Sequence, residues 1–127
     1  MTENEIGRIV VETAIMIHNE LGPGLLESVY ETVLYHELQR QGLSVTRQVP
    51  IPIVFRDIHI EEGFRADIIV ENKVLLELKS VQEISSIHFK QLMTYLRLTK
   101  IKLGFLLNFN ANLMKEGIFR RVNGLEE

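Results

Sequence analysis

Apolar residues recur at three- and four-residue steps through Ile6, Ile9, Val10, Ala14, Ile17 and Leu21, the spacing of a helix with one buried face. Thr2 and Glu5 precede that stripe at capping-box spacing and mark its start. Gly22-Pro23-Gly24 breaks it. A second stripe, Leu26, Val29, Tyr30, Val33, Leu34 and Leu38, predicts another helix ending near Gly42. From Val45 to Phe55 the period drops to two, with Val45, Val49, Ile51, Ile53 and Phe55 apolar, as in a half-buried strand. Pro50 and Pro52 lie two apart, so the N–H groups they lack fall on one side, which suits an edge strand rather than a central one.

Segments 58–61 and 64–70 read as strand, Glu71-Asn72-Lys73 as a turn, and Val74 to Val81 as the next strand. Ser85 or Ser86 can cap a third helix running to about Thr99, with Phe89, Leu92, Met93 and Leu96 turned inward. Leu103 to Leu107 is a short, continuously apolar run of the kind found in a covered sheet, and Ile118 to Val122 suits a last strand. Helix, helix, three strands, helix and one or two strands predict an α/β fold, a mixed sheet with a crossover helix and flanking helices. With 127 residues and no linker, repeat or low-complexity tract, residues 1–127 read as one domain.

Three charges do not fit this pattern. Val74-Leu75-Leu76-Glu77-Leu78-Lys79 has the composition of a central strand, yet Glu77 and Lys79 interrupt it, and alternation puts both on one face. Burying either charge unpaired costs roughly 3 kcal/mol or more, so the two must pair, reach water or hold something. A surface ion pair on an amphipathic strand is the plain alternative. Asp67 interrupts the preceding strand in the same way, and the loop length decides whether the acids meet. A two-residue loop sets Asp67 opposite Leu76, away from Glu77, whereas a three-residue loop, 71–73, sets it opposite Glu77 on a shared face. Asn72 and Lys73 can support the longer loop, with a residue in the left-handed conformation. Two carboxylates about 5 Å apart at the backbone repel unless a cation lies between them. Mg²⁺ or Mn²⁺ suits such a pair, and a lysine beside it can orient attacking water or neutralise a phosphorane-like transition state.

Composition narrows the chemistry further. Zero cysteines exclude disulfides and thiolate ligands, leaving oxygen or imidazole donors and hence a hard cation. Short apolar runs and an acidic N-terminus argue against a signal peptide or a spanning helix, so a soluble, cytoplasmic protein is expected, with no membrane partner. The net charge of −3 is unfavourable for nucleic-acid binding but unevenly spread. Lys90, Arg97, Lys100, Lys102, Lys115, Arg120 and Arg121 stand against the single acid Glu116 in that stretch, so an anion-binding surface would include the C-terminal third. A solvated surface is the alternative.

Asp67 followed by Glu77-Leu78-Lys79 resembles the D…(D/E)-X-K signature of the PD-(D/E)XK (restriction-endonuclease-like) nucleases, with Ala66 in place of the nominal proline. Gly24-Leu25-Leu26-Glu27-Ser28-Val29-Tyr30 resembles the motif that names the GxxExxY protein family within that superfamily, and the likeness runs from about Ile6 to Val122. The resemblance implies a Mg²⁺- or Mn²⁺-dependent nuclease acting on DNA. Asp67, Glu77 and the Leu78 carbonyl would hold metal, Lys79 would activate or orient water, and Glu27 would complete the metal site, with Glu31, one turn on, as its substitute. Gln91 and Tyr95, spaced i, i+4, resemble a Gln-x-x-x-Tyr motif of RecB-like members that positions the active site or substrate. His18 matches an early-helix histidine that binds metal in some of them, although a structural histidine is the plainer reading. Tyr30 lies on the apolar stripe and reads as core, and Gly24 as backbone punctuation. The alternatives are a catalytically silent nucleic-acid-binding module and a protein-interaction scaffold on the same fold. Edge strands and a short chain suit a homodimer.

Overall fold

The structure, a computed structural model, describes residues 1–126. Helix α1 (Glu3–Leu21) begins with the expected capping box: Glu5 N–H donates to the Thr2 hydroxyl at 3.2 Å and Thr2 N–H to the Glu5 carboxylate at 3.3 Å. It buries Ile6, Val10, Ala14 and Ile17 and stops at Gly22, whose φ of 75° closes the helix through its N–H to the His18 carbonyl. Helix α2 (Glu27–Arg40) buries a narrower stripe than its sequence suggests. Tyr30, Leu34 and Leu38 are fully inside, whereas Leu26 and Val29 are exposed.

Strands β1 (Val45–Phe55) and β2 (Ile58–Val70) form a long hairpin, followed by β3 (Val74–Lys79), helix α3 (Ser86–Thr99), β4 (Leu103–Asn108) and β5 (Ile118–Val122). The sheet runs β1-β2-β3-β4-β5, with β3 and β4 parallel and every other pair antiparallel. β1 is the edge that Pro50 and Pro52 require. The parallel step is the one that needs a crossover, and α3 supplies it. Two short strands expected at 58–61 and 64–70 are one, with a bulge between them: the pairing jumps from Ile51↔Phe64 to Ile53↔Ile60, and Gly63 lies in the jump, where a Cβ would clash with the Ile53 side chain. A 3-10 turn at Met114–Gly117 was not foreseeable from periodicity.

Each face of the sheet carries its own core. α1 and α2 cover one built on Ile68, Val70, Leu76, Leu78, Phe105 and Leu107, while α3 covers the other, built on Ala66, Ile69, Leu75 and Leu106. The β1–β2 ribbon changes faces along its length. Val45 and its partner Val70 belong to the α1/α2 core, whereas Val49 and its partner Ala66 belong to the α3 core. In a regular ribbon residues four apart share a face. The changeover falls at Gln48, whose φ of 51° is left-handed, and at Asp67 facing it between the pairs Arg47↔Ile68 and Val49↔Ala66. The odd apolar positions of β1 therefore do not lie on one face, contrary to the simple period-two reading. Among the described residues no helix is long and apolar enough to cross a membrane.

Candidate active site

Register brings the two acids together. Val70 pairs with Val74 around the three-residue loop 71–73, so Asp67 falls opposite Glu77 when the ladder is continued. The loop achieves this with two consecutive left-handed residues, Glu71 (φ 53°) and Asn72 (φ 55°), closed by the Lys73 N–H on the Val70 carbonyl at 2.9 Å. Glu71 also fastens the loop to the start of β1, accepting from Ser44 N–H at 2.6 Å while its own N–H donates to the Ser44 carbonyl.

The β2–β3 ladder ends at Ile68↔Leu76. Beyond it the strands part, and the Leu78 N–H donates instead to Asp67 Oδ2 at 2.8 Å. The Asp67 carboxylate thus lies in the gap between the strands. Because N–H and C=O of one residue in an extended strand point to the same edge, the Leu78 carbonyl faces that gap as well. On the other edge, the Lys79 carbonyl accepts from Phe109 N–H, continuing toward β4.

Glu77 alternates with Leu75 on the α3 side and is 7% exposed. Its Oε1 is buried with no hydrogen-bond partner. Burial, followed by the charge of Asp67 and the hydrogen bond that a protonated Glu77 can donate to the Asp67 carboxylate, pushes its pKa up to about 9, with Lys79 pulling the other way. Without a cation, Glu77 therefore keeps its proton at neutral pH. Lys79, half-buried at the end of β3, forms no ion pair among the described residues. The ends of β3 and β4 are pinned from below: Asn108 Oδ1 accepts from Val81 N–H and its Nδ2 donates to the Val81 carbonyl.

Helix α2 closes the gap on the opposite side. Glu27, Ser28 and Glu31 line a cleft of about 140 Å³ with Gln48, Asp67 and Leu78. Glu27 is the first residue of α2, exposed, where the helix dipole also favours an acid. Glu31 accepts from Gln48 Nε2 at 2.6 Å; burial raises its pKa, the Gln48 bond opposes the rise, and Asp67 and Glu27 add to it. Tyr30 explains why α2 starts where it does. Its hydroxyl donates to the Gly22 carbonyl at 2.6 Å and accepts from Leu25 N–H at 3.1 Å, while its ring stacks on Phe109. Ser80, next to Lys79, donates to the Leu25 carbonyl at 2.7 Å, tying this loop to the end of β3.

A family model described as the PD-(D/E)XK nuclease superfamily matches residues 4–122. The chain belongs to that superfamily. Comparisons with curated proteins and with solved structures returned no match. The mixed five-stranded sheet, in the order α-α-β-β-β-α-β-β, is consistent with the PD-(D/E)XK core, and the D…EXK residues fall at the parting of β2 and β3.

PD-(D/E)XK nucleases are typically metal-dependent, and the residues here fit a hard cation. The unpartnered, buried Oε1 of Glu77 beside Asp67 is an acceptor without a donor, a costly arrangement that a cation relieves. Among the described residues no group of three or more His, Asp or Glu side chains is arranged to hold a metal. The fit therefore rests on the Asp67–Glu77 pair and the Leu78 carbonyl, with Glu27 further out along the cleft.

Of the remaining candidates, Tyr95 lies close enough for Glu77 and Asp67 to raise its pKa after burial does, and its ring stacks on Phe64 of β2 at 3.9 Å. Gln91 is exposed on α3, one turn earlier. His88, on the same helix, serves as a cap, its Nδ1 accepting from Ser85 N–H. His18 is buried and donates from Nε2 to the Ala111 carbonyl at 2.7 Å, the structural role rather than that of a ligand through this nitrogen. Two residues of the site have no sequence signal that singles them out in advance. Gln48 is an ordinary polar position in a strand, and Asn108 merely ends an apolar run; only the fold shows what each holds.

Proposed function

We propose that this chain is a nuclease that hydrolyses phosphodiester bonds of DNA, using Mg²⁺ or Mn²⁺ held by Asp67, Glu77 and the Leu78 carbonyl. The observation that carries this reading is the buried Glu77 carboxyl with an unpartnered oxygen, set against Asp67 and followed on the same face by Lys79. A site that only had to be stable would have no use for two acids side by side on neighbouring strands, because replacing them with apolar residues removes the desolvation cost. When bound, the cation supplies charge neutralisation at the scissile phosphate. The residues do the rest. Asp67 is oriented by the Leu78 N–H, Glu77 is held rigidly by β4 and the α3 core, and Lys79 directs its ammonium to the attacking water or to the charge that builds on phosphorus. Water adds to phosphorus, and the bond to the 3′ oxygen breaks. Glu27, at the start of α2, orients water at the outer side of the cleft, while Gln91 and Tyr95 form the rim against which the strand lies.

The finer placement in the GxxExxY family is part of the same reading. It is supported by what the motif does locally: Gly24 adopts φ 98°, Tyr30 ties the loop, and Glu27 is carried to the cleft.

The test is incubation with single-stranded, duplex and branched DNA in Mg²⁺, Mn²⁺ or chelator, alongside Lys79→Ala and Glu77→Ala. Cation-dependent cleavage that falls by about 100-fold or more in both variants is expected. DNA binding with no cleavage under any condition favours a silent binding module instead, and cleavage that survives both substitutions overturns the assignment of these residues.

A further inference from the structure

The feature of the cleft that the D…EXK signature does not account for is Gln48. Its backbone is left-handed, φ 51°, inside an otherwise extended strand, and a residue with a Cβ pays for that conformation. The consequence is visible in the side chains on either side. Consecutive strand residues normally point to opposite faces. Here Arg47 and Gln48 both reach α2: Arg47 Nη1 donates to the Thr32 hydroxyl at 3.2 Å with its guanidinium over the Tyr35 ring, and Gln48 Nε2 donates to Glu31 Oε1 at 2.6 Å. The residue across the ribbon from Gln48 is Asp67, at the point where the ribbon changes faces and β2 leaves β3. Gln48 and Asp67 line the same cleft as Glu31. The distortion therefore gives β1 a side chain aimed at an acid on α2 at the one position that faces the metal-site aspartate.

We propose that Gln48 is a positioning residue, which fixes the Glu31 carboxylate in place beside Asp67 and so presets the cleft to receive a divalent cation and its water shell. The inference rests on the function proposed above and goes beyond it, because it assigns Glu31, and not only Glu27, a place in the cation's surroundings through a residue of the edge strand. A neutral amide donor is suited to the task. It orients a carboxylate by a charge-assisted hydrogen bond without neutralising it, whereas a lysine or arginine at this position would cancel the charge.

The test uses variants that preserve the left-handed backbone. Gln48→Gly removes the side chain where glycine is at ease, and Gln48→Asn keeps an amide on a residue tolerant of that conformation but is one carbon too short to reach Glu31. Mn²⁺ affinity of the full chain is measured by calorimetry and by electron paramagnetic resonance, in the wild type, in both variants, in Glu31→Gln, and in the double variant Gln48→Asn/Glu31→Gln, with thermal melts in chelator for each. The expected result is a loss of Mn²⁺ affinity of about tenfold in Gln48→Asn and Gln48→Gly, with melting temperatures close to wild type. In the Glu31→Gln background Gln48→Asn should add nothing, since the partner through which it acts is gone. Wild-type affinity in both Gln48 variants overturns the proposal alone, as does a loss that persists undiminished in the double variant. A wild-type chain that binds no Mn²⁺ overturns the proposed function and this inference with it.

Discussion

An acid in a central strand is stable only in the protonation state its surroundings allow, and Glu77 is surrounded by the α3 core, by Asp67 and, at a distance, by Lys79. Its folded pKa of about 9 stands above its ordinary value of 4.5, so between those values the folded chain holds a proton that the unfolded chain releases. The stabilising contribution is thus complete below about pH 4.5 and is lost as pH rises toward 9. In chelator, wild-type stability should fall by on the order of 3 kcal/mol between about pH 5 and about pH 7 through this group. Glu77→Gln, which cannot ionise, should lose that slope and be the more stable protein at pH 7, read by urea denaturation at each pH. A glutamine variant no more stable than wild type at neutral pH would contradict the origin assigned to the shift. The identity of this residue as out of place was legible in the sequence from two charges in an apolar strand. Its degree of burial was not, because that depends on how closely β4 and α3 pack over it, which no local pattern encodes.

At the scale of elements, the loop between β2 and β3 decides whether there is a site at all. Three residues set Val70 against Val74; two would have moved every side chain of β3 to the other face. The sequence permitted both lengths, and Asn72 was the hint, since asparagine tolerates the left-handed backbone that it adopts at φ 55°. Asn72→Val keeps the side chain small but places a β-branched residue in that conformation, so it should cost about 1–2 kcal/mol in chemical denaturation. A stability unchanged within about 0.3 kcal/mol would mean that the loop adopts another geometry. Helices and strands were legible wherever a single period persisted: the capping box of α1, the extents of β1 and β5, and the cap of α3 at Ser85 all follow from local pattern. The roll of the β1–β2 ribbon at Gln48 was not. It pairs one distorted residue of β1 with a divergence of β2 from β3, a relation between elements that lie far apart in the chain, and nothing in the residues 45–55 alone distinguishes it from a flat strand.

For the whole molecule, the net charge of −3 conceals an uneven distribution of acids and bases. Lys90 and Arg97 ride on α3 and Arg120 and Arg121 on β5, whereas Glu27, Glu31 and Asp67 line the cleft beside α2 and Glu77 lies next to Asp67 on the α3 side of β3. Without a cation, Glu77 is protonated at neutral pH, yet a carboxylate must give up its proton to act as a ligand. Cation binding near pH 7 should therefore release about one proton per chain, and the apparent affinity should rise with pH until it levels off near pH 9. Titrating Mn²⁺ in buffers of different ionisation enthalpy reads the proton count directly. In Glu77→Gln the count should fall to near zero along with most of the affinity. The same linkage predicts opposite trends for the two forms of the protein: as pH rises from about 5 to about 8, the chelated chain loses stability while Mn²⁺ adds progressively more, so the gap between their melting temperatures widens. A gap that stays constant across that range would show that the cation binds without displacing the Glu77 proton, and hence at some place other than the Asp67–Glu77 pair.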